Sequence, residues 1–128
     1  MELKEFTKKV DDVLIRHKSI LDITSKLHET DGKINRAIAK AVTECGCIKI
    51  NAFKQDMPEN INYSDLSKYM KNHIEGRLCH TCEEKIVEEI GDHMFYIAAL
   101  CNNLELSTDE ILKKKYNEIE TLGKFSLF

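Results

Sequence analysis

The 128-residue chain has one proline, five glycines and no tryptophan. Gly and Pro together usually make up about 12% of a globular chain, so turn-forming residues are scarce here. An all-β sandwich needs a turn signal every ~8–12 residues, which comes close to excluding that class. No apolar run approaches the ~18 residues of a membrane span. Neither sign of charge dominates: the net charge is −3 at pH 7. That balance argues against a nucleic-acid partner and against an anionic membrane surface. The opening Met1-Glu2-Leu3-Lys4-Glu5 alternates acid and base and lacks the pattern of a secretory signal. What is present is 42% hydrophobic and 32% charged residues, the balance of a folded domain. The expectation is one all-α domain, residues 1–128, in the cytoplasm.

Apolar spacing supports about four main helices and a short connecting one. Leu3, Phe6, Val10, Val13, His17, Ile20, Thr24 and Leu27, six of them apolar, fall at steps of three and four, predicting a helix over 3–27 that Thr30-Asp31-Gly32 ends. Ile34, Ile38, Ala41, Cys45, Ile48 and Ala52 hold the same period in a second helix from Lys33, with Gly46 inside it. Residues 55–62, with the only proline, read as a loop, and Ser64 as the cap of a short helix to about His73. Thr81 with Glu84, and Ser107 with Glu110, have capping-box spacing and open the third and fourth long helices. Gly123 is a natural stop. The apolar ending Lys124-Phe125-Ser126-Leu127-Phe128 is expected to dock on a surface.

Five cysteines are many for such a chain. In a reducing compartment they suggest metal, redox chemistry or burial before disulfides. Cys45-Gly46-Cys47 and Cys79-His80-Thr81-Cys82 give CxC and CxxC pairs. CxxC at a helix start is a common Zn²⁺ half-site, because both sulfurs reach one ion and the helix N-terminus favours thiolate. A four-cysteine zinc site is the sharp hypothesis, with Cys47, Cys79 and Cys82 the zinc candidates that survive helical geometry and His80 or His73 able to replace a sulfur. A redox pair and inert thiols are the alternatives. Two positions apart on an α-helix is about 200°, so Cys45 and Cys47 diverge unless Gly46 distorts the helix. In a regular helix Cys45 lies on the apolar stripe. Zinc joining Cys47 to Cys82 needs another helix register or a loop that folds back. Cys101, among Ala98, Ala99, Leu100 and Leu104, reads as core.

Carboxylates give a second pattern. Glu89 and Asp92 are one turn apart on the third helix, and Glu44 with Cys47 has the same spacing on the second. Facing strips of this kind could hold Mg²⁺ or Mn²⁺, which prefer oxygen ligands and bridge to phosphates. A solvated acidic face is the other reading. Glu88-Glu89-Ile90-Gly91-Asp92-His93-Met94-Phe95-Tyr96-Ile97-Ala98-Ala99-Leu100 resembles the second metal helix of the MazG-like, all-α nucleoside triphosphate pyrophosphohydrolases. Ala41-Val42-Thr43-Glu44-Cys45-Gly46-Cys47-Ile48 resembles the first.

That resemblance covers roughly residues 34–123. It implies an antiparallel bundle binding Mg²⁺ through ExxE and ExxD, with water activated to release pyrophosphate from a nucleoside triphosphate. Glu89 and Asp92 match ExxD, and Glu44 the first position of ExxE. Cys47 stands at the second, and a thiol is a poor ligand for a hard ion. Lys113, Lys114 and Lys115 are the resemblance's candidates for gripping phosphates. Two functions follow: a divergent pyrophosphohydrolase, with Glu44, Glu89 and Asp92 as catalytic metal ligands, or a non-catalytic zinc- or thiol-containing binding or sensing module. The tail aromatic residues and the wide apolar stripe of the first helix, more than a four-helix chain of this size needs to bury, predict a homodimer or higher oligomer.

Overall fold

The computed structural model describes residues 1–123; the expected docking of residues 124–128 lies outside the described residues. It is mostly helical. The order is α1 (Leu3–Val13), α2 (Ile20–Lys40), a single π-helical turn (Ala41–Cys45), β1 (Ile48–Ile50), α3 (Tyr63–Leu66), β2 (Ile74–Gly76), α4 (His80–Asn103) and α5 (Thr108–Leu122). Among the described residues, no helix is long and apolar enough to cross a membrane.

Four long helices and one short one match the sequence expectation in number, but four boundaries differ. The first expected helix is broken after Val13. His17 takes a left-handed conformation, φ 59°, and Ser19 restarts the chain by accepting the Leu21 N–H on its Oγ at 3.2 Å. Apolar periodicity runs across this break, so spacing alone conceals it. Gly32 does not end a helix. It lies inside α2, where glycine lowers stability by about 1 kcal/mol without forcing a stop. Glu29 spans this stretch, paired with Lys26 at 3.0 Å and Lys33 at 3.2 Å. The second expected helix stops at Cys45, and residues 48–50 form a strand instead. The short helix is only Tyr63–Leu66.

Two compact units can be distinguished. One comprises Met1–Lys33 and Glu88–Phe128, the other Ile34–Val87. The core of the first is Val10, Ile23, Ala98 and Ala99, with Phe6, Leu14, Phe95, Tyr96 and Leu100 packed against it. Polar links tie its helices. The hydroxyls of Thr7 and Thr108 lie 2.9 Å apart, and the Asn102 amide donates to the Thr7 carbonyl at 2.9 Å. Cys101 is buried here, as expected of a small core residue.

The second unit has its own core of Ala37, Ala41, Ile48 and Ile86, joined by Val42, Cys47, Leu78 and Cys82. Its two strands pair antiparallel, Ile48 with Gly76, Lys49 with Glu75 and Ile50 with Ile74. The pairing continues outward by side-chain mimicry. The Asn51 N–H donates to the His73 carbonyl at 2.9 Å. The Gln55 amide then bonds both backbone groups of Lys71, at 2.8 and 2.9 Å, as a strand neighbour would.

Candidate metal centre

The metal candidate forms at the base of this hairpin. At the end of α2 the helix widens into one π turn, closed by the Gly46 N–H donating to the Ala41 carbonyl at 2.9 Å. Gly46 then turns left-handed, φ 76°. Helical spacing is broken between Cys45 and Cys47, so the two sulfurs no longer diverge. The chain leaves along β1 and returns along β2. Gly76, φ 86°, lies so near the Cys47 carbonyl that a Cβ there would stand 2.6 Å from that oxygen. The return delivers Cys79 to the position just before α4, and Cys82 follows in its first turn.

One ligand atom from each of Cys45, Cys47, Cys79 and Cys82 falls within 4.8 Å of the others. The Cys45 and Cys79 sulfurs are 3.8 Å apart. Zn–S bonds of about 2.3 Å in a tetrahedron separate neighbouring sulfurs by about 3.8 Å, whereas a disulfide needs about 2.05 Å. All four are free thiols; Cys45 is exposed and the other three are partly buried.

Local hydrogen bonds unbalance the four thiols. The Cys82 N–H points at the Cys79 sulfur from 3.4 Å. That backbone donor, helped by the neighbouring thiols, holds Cys79 down at about 7, against an ordinary 9.0. Its partners move the other way. The interaction with Cys79 and partial burial push Cys82 up to about 12, and the Cys79 contact raises Cys45. One thiolate thus forms readily and opposes the next, the like-charge pattern that a divalent cation relieves. The arrangement can hold a soft or borderline metal ion. It leaves no position on a four-coordinate ion for substrate.

Among the described residues, this is the only group of three or more Cys, His, Asp or Glu that converges on a common point. The expected cysteines Cys47, Cys79 and Cys82 all belong to it. Cys45, assigned to the apolar stripe by helical spacing, joins them. The signal for it was Gly46 itself, a residue able to leave the helix between two cysteines. His80 is not drawn in; its ring meets Glu84 at 3.1 Å in solvent. His73 packs edge-on against Phe53, ring centres 4.7 Å apart.

The carboxylate candidates are placed differently. Glu44 is exposed on the π turn of the second unit, outside the thiol group. Glu89 is buried in the first unit. Asp92 is exposed there and lines a cavity of about 280 Å³ with Lys26, Glu29, Thr30, Lys33, Phe95 and Tyr96. No protein-family model, curated protein or solved structure matches the chain.

Proposed function

We propose that the protein is a non-catalytic, zinc-bearing binding module in which one Zn²⁺ held by Cys45, Cys47, Cys79 and Cys82 clamps the hairpin base. The observation that carries this is the convergence of two cysteine pairs, remote in sequence, within 4.8 Å. Four thiolates suit Zn²⁺ and fill its tetrahedron, so the ion's role is structural. The arm it clamps presents Phe53, Met57 and Tyr69, 53%, 63% and 38% exposed. Aromatic and Met side chains of this kind are enriched at protein interfaces. Elemental analysis of protein purified without added metal tests the reading. One zinc per chain is expected, falling to background in the Cys79→Ser/Cys82→Ser variant. Zinc retained by that variant, or absent from the wild type, counts against it.

A second reading is nucleoside triphosphate hydrolysis with Mg²⁺ or Mn²⁺ at Glu89 and Asp92. The cavity beside Asp92 favours it, because Lys26 and Lys33 also line that cavity and are cations of the kind that grip phosphates. Pyrophosphate release from a panel of nucleotides is the assay. No release, with no change on Asp92→Ala, retires this reading.

A further inference from the structure

α5 buries only Thr108. Its apolar side chains Ile111, Leu112, Tyr116, Ile119 and Leu122 are all 46–63% exposed. An isolated helix of this length is marginal in water, and tertiary packing of its apolar face is what normally stabilises it. On α4, Ile90, Met94 and Ile97, and Leu104 just past its end, are likewise 42–51% exposed. The two stripes share one surface, because Met94 and Ile97 line a single cavity of about 220 Å³ with Ile111 and Leu112.

We propose that this α4–α5 face is the contact surface between two copies of the chain, packed about a two-fold axis with their α5 helices antiparallel. Area is the first argument. At roughly 90 Å² each, nine half-exposed apolar side chains offer roughly 800 Å², one partner's share of a standard-size interface. Charge order along α5 is the second. Lys113, Lys114 and Lys115 are followed by Glu118 and Glu120. Antiparallel pairing centred near Tyr116 sets each copy's lysines beside the other's glutamates, whereas parallel pairing sets lysine against lysine. Within one chain Lys115 already reaches Glu118 at 3.3 Å, so the pair is free to exchange across the axis. Such a surface is self-complementary, as a two-fold contact requires, and the two helices of each copy complete a four-helix arrangement.

Sedimentation velocity tests this. At micromolar concentration the wild type is expected near twice 14.8 kDa. The Leu112→Glu/Ile119→Glu variant should sediment as a monomer with unchanged helicity by circular dichroism, since neither side chain is buried. Should that variant lose helicity, Tyr116→Lys replaces it at the most exposed position of the stripe. A wild type that stays monomeric, or a folded charge variant that stays dimeric, overturns the proposal. So does a wild-type monomer whose binding of an apolar dye rises when residues 124–128 are deleted, which assigns the face to the chain's own C terminus.

Discussion

Cys79 stands where helices usually carry serine or aspartate. Its sulfur receives the Cys82 N–H and its carbonyl receives the Glu83 N–H at 2.9 Å, so one residue caps α4 and offers a metal ligand. Serine can keep the first role and not the second. Cys79→Ser should lose zinc and retain the cap, while Cys79→Ala loses both. In urea unfolding of the metal-free proteins, the alanine variant should be less stable than the serine variant by about 1 kcal/mol. Equal stabilities would refute the capping role.

The same thiol sets a pH dependence. Its folded value of about 7 lies below its ordinary 9.0. The stability this contributes to the metal-free protein is complete above pH 9 and is lost as pH falls through 7. Cys82, raised to about 12, has the opposite sign. Its contribution is complete below pH 9 and is lost as pH rises through 12. Iodoacetamide should therefore label Cys79 first in the metal-free protein, with a midpoint near pH 7 by mass spectrometry. Zinc binding should release about one proton fewer at pH 8 than at pH 6, read by calorimetry in buffers of different ionisation enthalpy.

Among the elements, the hairpin depends on two left-handed glycines in different surroundings. Nothing lies within 4 Å of a Cβ built on Gly46, whereas one on Gly76 meets the Cys47 carbonyl oxygen at 2.6 Å. Gly46→Ala should lower stability by about 1 kcal/mol through backbone strain alone. Gly76→Ala should lower it further and reduce zinc content, because relieving the clash displaces a ligand-bearing segment. Paired urea titrations and metal analyses check both. This hairpin was also the least legible element in the sequence. Ile48 continues the helical spacing of Ala41 and Cys45, so a three-residue strand hides inside a helical pattern, and its partner Ile74–Gly76 shows no alternation. α5 was legible because its start is local chemistry: Ser107 accepts the Glu110 N–H at 3.2 Å, as their spacing implied. At α4 the capping side chain is that of Cys79 rather than Thr81, since the thiol stands two positions earlier. CxC and CxxC spacing raised all four converging cysteines, and helical geometry then set Cys45 aside. Its place among them rests on the departure from helix at Gly46, which periodicity cannot register.

For the molecule as a whole, the two units differ in what holds them. The first has large side chains, Ile23 and Phe95 among them, around its core. Against the core of the second pack Val42, Leu78 and the thiols of Cys47 and Cys82, with no aromatic ring among them, a set of the kind that metals commonly reinforce. A strong chelator should abolish amide protection across residues 46–79 in hydrogen exchange, while Val10, Ile23, Ala98 and Ala99 stay protected. Simultaneous loss in both places would show that the ion supports the entire chain.

The sulfurs of Cys45 and Cys79 meet across 34 positions of sequence, and they close the segment between β1 and β2 at its root. Closing such a loop depends on its length logarithmically, so doubling it adds only about 0.6 kcal/mol. Residues 51–73 thus behave as a replaceable cassette on a fixed socket. Their length and chemistry can drift, or be engineered, without disturbing the four thiols that anchor them.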